Sequence, residues 1–315
     1  MARFVVRRLA MLAATLLVAS FAIYASLSVA PGDPLSVLTG GRTLPPDAVA
    51  TLKARYHLDE SLPAQYWHWL TAALHGDLGT SIALRESVNT LIAQRAGVTF
   101  ELVLYASVLI LVFGIGSGIA AGLRRGALDM SVIAGTTVLA AIPSFVAAVV
   151  LISVFAVKLG WFPALDAGTG GLDRVWHLTL PAIALALSAL AIVARVTRVA
   201  VREESAREHV QTAVSRGLPR RLVVRRHVLR NAAIPITTVT GITIASLIAL
   251  SAVVERAFSL NGLGSALVDA ASSKDFAVVQ GISLVLVAAF VITNALVDLL
   301  YAMLDPRVAL GSRAE

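Results

Sequence analysis

Six stretches of this chain, approximately 9–30, 98–123, 131–158, 178–200, 235–256 and 279–303, are so long and so apolar that they leave few folds open. A bilayer core is about 30 Å thick, and about 20 mostly apolar residues in a helix cross it. No water reaches backbone N–H and C=O groups in that layer, and a helix satisfies them within itself. A soluble core does not need runs of this length. The chain is 57% hydrophobic and 14% charged, where soluble domains carry roughly a quarter charged residues. The reading is an all-α integral membrane protein with six transmembrane helices.

Charge then sets the expected orientation. The net charge is +7, and its basic residues cluster. Arg3, Arg7 and Arg8 precede the first run, Arg124 and Arg125 follow the second, and Arg307 and Arg313 follow the last. Ten arginines lie between residues 195 and 230. Placing the N-terminus inside puts all of these on the cytoplasmic face, as the positive-inside rule requires. Both termini are therefore expected in the cytoplasm. Positive charge distributed this way belongs to the inner membrane face and not to a nucleic-acid surface. The basic start, with Ser28 and Ala30 after the first run, also fits a cleaved signal peptide. The run is about 22 residues long, which suits a spanning helix better than a signal core.

The expected organisation is one domain over 1–315. Helix one occupies 1–30, an outer loop 31–97, core helices two to six 98–303, and a cytoplasmic tail 304–315. The outer loop holds Pro45, Pro46 and Pro63, a helix-forming stretch at 48–56 and the aromatics Tyr66, Trp67 and Trp69. Loops this long usually have structure or function of their own. The aromatics suit either headgroup anchors or a small cap that meets an outer partner. Gly114, Gly118 and Gly122 recur at steps of four on helix two, the pattern that lets another helix approach closely. Pro143 is expected to kink helix three.

The most unusual segment is 201–230, between helices four and five. Val210, Ala213, Val214 and Gly217 fall at i, i+3, i+4 and i+7, one apolar stripe on a short helix that Pro219 ends. The stripe suits a helix lying on anionic lipid or one that docks into a cytoplasmic protein groove. On helix five Thr240, Thr243 and Ser246 recur at steps of three. They form a candidate pore-lining stripe, or hydroxyls that bond back to the preceding turn.

Several chemistries have no residues to carry them. Cysteine is absent, so thiolate metal sites, thiol nucleophiles and disulfides are excluded. The lysines are Lys53, Lys158 and Lys274, none after a glycine, so there is no phosphate loop to hold ATP. The six histidines form no H-E-x-x-H and Ser117 is in no G-x-S-x-G, which leaves no catalytic site to name. Glu101, Glu255 and Asp298 lie near helix ends, and no charge occurs over 102–123 or 130–157. An ion-coupled secondary transporter acting alone is the alternative reading, and it lacks the midplane charges such carriers use.

The 195–235 region also carries a resemblance. Gln211, Thr212, Ala213 and Gly217, followed after nine residues by His227, Leu229 and Arg230, are similar to the E-A-A-x-x-x-G…I-x-L-P loop of permease subunits in ATP-binding-cassette importers. The wider match is to the dipeptide, oligopeptide and nickel permease family. It runs through Arg3-Phe4, Arg7-Arg8-Leu9, Pro31-Gly32-Asp33-Pro34, Leu58-Asp59, Gly76-Asp77-Leu78-Gly79 and Leu123-Arg124-Arg125-Gly126. It continues through Lys158-Leu159-Gly160-Trp161, Gly262-Leu263-Gly264, Asp298-Leu299-Leu300-Tyr301 and Leu304-Asp305-Pro306-Arg307. Gln211 and Arg230 depart from the general motif, and Asn261 stands where relatives often have proline. The long outer loop resembles the first permease of the usual pair.

The resemblance implies a type I importer transmembrane fold in a bacterial cytoplasmic membrane. It implies a second permease as pore partner, two cytoplasmic ATPase subunits that bind ATP and Mg, and an extracytoplasmic solute-binding protein. Cargo would be dipeptides, oligopeptides, haem, nickel complexes or a related solute. The 207–218 helix then becomes the coupling helix, with Gln211, Thr212, Ala213, Arg216, Gly217, Arg220 and Arg221 as its contact residues.

Overall fold

The computed structural model describes residues 2–29, 45–55 and 59–304. In chain order the helices are α1 (Ala2–Val29), α2 (Pro46–Arg55), α3 (Leu62–Leu74), α4 (Val88–Leu123), α5 (Ala127–Ala141) and α6 (Ser144–Lys158). They continue with α7 (Gly171–Ser205), α8 (Glu208–Ser215), α9 (Arg220–Ala257), α10 (Leu263–Ser272) and α11 (Phe276–Leu304). Among the described residues the only β-structure is an isolated bridge between Thr80 and Ser87. The Pro31–Pro34 motif, Leu58 and the tail beyond Leu304 lie outside the described residues.

Five helices, α1, α4, α7, α9 and α11, are long and apolar enough to cross a membrane, and α5 with α6 makes a sixth if the bent pair counts as one span. The expected single helix over 131–158 is corrected here. α5 and α6 diverge by 99°, more than a kink. Proline lacks the N–H that would continue the ladder and disfavours helical geometry in the residue before it. Accordingly Ile142 leaves the helical region at φ −87°, ψ 115°. A new helix then starts with Ala147 N–H donating to Pro143 O at 3.0 Å.

α7 is the axis of the bundle. Its buried face is rich in alanine, including Ala182, Ala186, Ala189 and Ala194. These small side chains meet the glycine stripe of α4 as the spacing suggests. A Cβ on Gly118 would sit 2.6 Å from Ala194 O, and one on Gly122 would sit 2.9 Å from Arg198 O. Only hydrogen fits there, so the glycines set the distance between the two helices.

At one end of the bundle α4 begins at Val88, earlier than the apolar run, because Val88 and Leu91 pack with Leu263, Ala266, Val278 and Ile282 of α10 and α11. The short α10 follows a fully buried Glu255. Glu255 accepts from Thr99 Oγ1 (2.7 Å) and from Ser265 N–H (2.9 Å). Thr99 Oγ1 in turn accepts from Leu263 N–H at 2.8 Å. A carboxylate from α9 thus satisfies free donors in the first turn of α10 and ties that helix to α4. Asp275 does the same for the loop before α4, accepting from Ser81 Oγ (2.6 Å) and Ala83 N–H (3.1 Å).

α3 lies against α1 at this end. Tyr66 OH pairs with Ser20 Oγ at 2.8 Å, and the Tyr66 ring meets Phe21 edge-on, with centroids 5.2 Å apart. Trp69 approaches Tyr24, whereas Trp67 faces outward. The aromatics therefore divide: Tyr66 and Trp69 dock the loop helix, and Trp67 alone is free to serve as an anchor or contact.

Candidate functional site

The opposite end carries α8 and the arginine-rich segment. After α7 ends, Arg207 turns extended at φ −67°, ψ 146°. Helix resumes with Val210 N–H donating to Arg207 O at 3.0 Å. Val210 and Ala213 are both 5% exposed and pack with Val201 of α7 and Val223, Val228 and Ala232 of α9. This corrects the expectation that the apolar stripe would fill a partner's groove. Two of its three large or methyl-bearing members are spent inside this chain, and Val214, 59% exposed, is the one left outside. Short connections keep the chain's own apolar surface beside α8 at high effective concentration, so the helix buries its stripe there first.

A polar knot holds the same helix in place. Glu204 Oε1 at the end of α7 lies 3.1 Å from His209 Nε2 and accepts from Asn231 Nδ2 at 2.8 Å. Arg207 Nε lies 3.5 Å from Glu204 Oε2. Gln211 Nε2 donates to Ala206 O at 3.2 Å. One turn back on α7, Arg198 grips both oxygens of Asp129 on α5, and Arg202 Nη1 reaches Asp129 Oδ2 at 2.7 Å.

The outward face of α8 consists of Glu208, Gln211, Thr212, Ser215 and Arg216, all exposed. Arg220 and Arg221 are exposed beside it. Of the seven coupling candidates, Gln211, Thr212, Arg216, Gly217, Arg220 and Arg221 lie on the surface and Ala213 faces inward. Gly217 takes φ +74°, and a Cβ there would meet nothing within 4 Å. Its N–H donates to Val214 O (2.9 Å) and Leu218 N–H donates to Ala213 O (3.3 Å). These two bonds are the paired 5→2 and 6→1 bonds of a glycine-terminated helix. The glycine is required first by the backbone and not by crowding.

On α9 the hydroxyl stripe does not act as one surface. Thr243 and Ser246 donate to carbonyls four residues back, at 2.7 Å and 2.9 Å. Thr240 is buried, and its Oγ1 has no hydrogen-bond partner among the described residues.

Asp129, Glu204, Asn231 and Asp275 were not singled out from sequence, and Glu255 was noted only as an acid near a helix end. Asp129 left a signal, being the one acid between Glu101 and Asp166 while Arg198 and Arg202 share a helix face at i, i+4. Glu255 left none, since nothing local distinguishes it from an acid at a wet helix end.

Residues 114–310 match the family described as binding-protein-dependent transport system inner membrane component. Residues 1–103 match the N-terminal component of the same transport systems. The chain is 36% identical to the dipeptide transport system permease protein of Bacillus subtilis over 320 residues, covering 99% of this chain and 100% of that one. It is 34% identical to the glutathione transport system permease protein of Pectobacterium atrosepticum over 311 residues, 98% of this chain and 99% of that one. It is 33% identical to the oligopeptide transport system permease protein of Escherichia coli over 310 residues, again 98% and 99%.

Proposed function

Since the chain belongs to the family of binding-protein-dependent transport system inner membrane components, we propose a specific division of labour for it within an importer. The chain is a membrane permease subunit of an ATP-binding-cassette importer and not an enzyme. Its cargo is of the peptide class, the class named on the dipeptide, oligopeptide and glutathione relatives. It pairs with a second permease to form the pore, receives cargo from an extracytoplasmic binding protein, and takes its energy from two cytoplasmic ATPase subunits that hold the ATP and Mg. The membrane is the bacterial inner membrane, with six spans, α5 and α6 making one, and both termini in the cytoplasm. A free-standing ion-coupled carrier is not favoured, since relatives aligned over nearly the whole chain are permease subunits.

The observation that carries the coupling role is the two-sided build of α8. Its inner face is packed into α7 and α9 through Val210 and Ala213, and its outer face presents Gln211, Thr212, Ser215 and Arg216. A helix held rigidly from behind transmits a push on its outer face to the spans that hold it. The mechanism follows: ATP-driven movement of the ATPase subunits displaces α8, and α7 and α9 move with it. Thr240, Thr243 and Ser246 remain candidates for the path, reached only if α9 rotates to turn them toward the second permease.

The test uses the complete complex in liposomes, with ATP hydrolysis and peptide uptake measured together. Thr212→Trp places bulk on the outer face of α8 at a helical position with no backbone strain. Expected is loss of ATPase subunits on purification, or hydrolysis without uptake. Normal coupling in this variant would sink the assignment of α8. For the cargo, mass spectrometry of the ligand released from the co-purified binding protein should detect a peptide; a non-peptide ligand refutes the cargo reading.

A further inference from the structure

We propose that the cleft beside α8 is a binding site for an anionic phospholipid of the inner leaflet, its phosphate held by Arg125, Arg202 and Arg220. The cleft has a volume of about 390 Å³ and opens between the end of α4, the end of α7, α8 and the start of α9. Its location at the cytoplasmic boundary rests on the orientation proposed above.

Three observations select the occupant. First, three arginines and no acidic residue line the cleft. Arg202 is partly neutralised by Asp129, while Arg125 and Arg220 are exposed and have no acid partner among the described residues. An unmatched pair of guanidinium groups in one concavity fits a phosphate oxygen set, which can accept two forks at once. Second, apart from Ser205 and Gln211 the remaining wall is apolar, with Leu123, Val210, Val214, Val223 and Val224 its larger members. A free phosphate or nucleotide phosphate gains nothing from such a wall, whereas the upper acyl chain of a lipid does. Third, Val214, Leu218 and Leu222 stay exposed within a few residues of Arg220 and Arg221. Exposed apolar and basic side chains interleaved in this way suit a surface seated at the headgroup boundary.

The lipid would therefore occupy the flank of α8, leaving the Thr212 and Ser215 face for the ATPase. It would brace the helix against the bundle from the membrane side, adding a third support to Val210–Ala213 packing and the Glu204 knot.

The experiment titrates the full-length protein, purified with its partner subunits in neutral detergent and stripped of lipid, with phosphatidylglycerol, phosphatidylcholine or inorganic phosphate. Bound lipid is counted by native mass spectrometry. Expected is saturable retention of phosphatidylglycerol over phosphatidylcholine. Arg125→Gln with Arg220→Gln should cut that retention by about thirtyfold, from about 1 kcal/mol of surface attraction per arginine. Val214→Glu, at an exposed position that tolerates polarity, should weaken it by placing a negative charge on the wall. Arg85→Gln, on a loop at the other end, should leave it unchanged.

Equal binding of the two lipids, unchanged retention in the double variant, or displacement by inorganic phosphate would each overturn the proposal. So would retention by the isolated chain that disappears once the ATPase subunits bind, which would assign the arginines to a protein partner. The coupling reading is scored separately: ATPase subunits that co-purify and couple while lipid binds without preference leave α8 assigned and remove only the lipid.

Discussion

The two ends of this bundle are fastened by opposite chemistry. At the α10 end, the outer end in the proposed orientation, Glu255 and Asp275 are 0% and 2% exposed. Each is held by hydroxyl and backbone N–H donors, with no cation paired to it among the described residues. At the α8 end the acids Asp129 and Glu204 are held by arginine and histidine. The cations on Glu204 keep much of their surface in water, 67% for Arg207 and 43% for His209, whereas Arg198 and Asp129 are largely enclosed at 18% and 11%. A dry carboxylate bonded to neutral donors is a rigid fastening, since losing it strands donors that nothing else can satisfy. A wet ion pair among surplus arginines is exchangeable and is screened by salt. The difference puts a salt-independent fastening at the α10 end, while at the α8 end the apolar packing of Val210 and Ala213 carries the rigidity and the exposed ion pairs around it yield to salt.

The sharpest way to break this comparison is topological. The chain has no cysteine, so Ala83→Cys and Ser215→Cys each give a single exposed thiol, one near each end. In intact cells an impermeant maleimide should label position 83 and leave position 215 untouched until lysis. Labelling at 215 in intact cells would exchange outer and inner throughout.

The next largest effect is expected at Glu255. Glu255→Ala strands the Ser265 N–H and removes the acceptor of the Thr99 hydroxyl, costing about 3 kcal/mol of stability. It should lower the thermal aggregation midpoint of the purified protein and expose the α9–α10 connection to protease. Glu255→Gln retains one acceptor and should fall between. If both variants match wild type, the outer fastening is not rigid in the sense argued.

Glu204→Gln should do less to stability, and its effect should shrink as salt is raised, because Arg207 and His209 are already partly screened. A salt-independent loss as large as that of Glu255→Ala would erase the contrast between the ends. The smallest effect is expected from Gly217→Ala, about 1 kcal/mol of local strain from a left-handed backbone, with coupling largely retained. Gly217→Trp adds bulk to the same strain, so the difference in coupling between the two variants reads the partner contact alone.

Much of the membrane architecture was legible without coordinates. Run length and apolarity determined the helical class, because a bilayer interior accepts no other arrangement of a chain like this. Glycine spacing on α4 determined a close helix contact, since a four-residue step of hydrogen side chains has one face and one use. Arginine placement determined the expected orientation, and ordered short motifs determined the resemblance that the full-length relatives bear out. Helix ends were less legible: α4 begins before its apolar run because Val88 and Leu91 pack on α10 and α11, and α7 begins at Gly171 with a first turn that stays exposed and is buried only from Leu178.

Only the tertiary structure decided three things. Pro143 could have bent one span or broken it, and packing of α6 across the bundle settled on a 99° break. The α8 stripe could have served lipid, a partner or the chain itself, and a periodic pattern states which face is apolar without stating what covers it. Val201, Val223 and Val228, from two other helices, cover it. Glu255 could have been a wet acid at a helix end; it became a buried cap because Thr99 and Ser265, 156 and 10 residues away, meet at its oxygens. Local rules read spacing along one helix, and each of these outcomes was fixed by what a different helix brought to the same place.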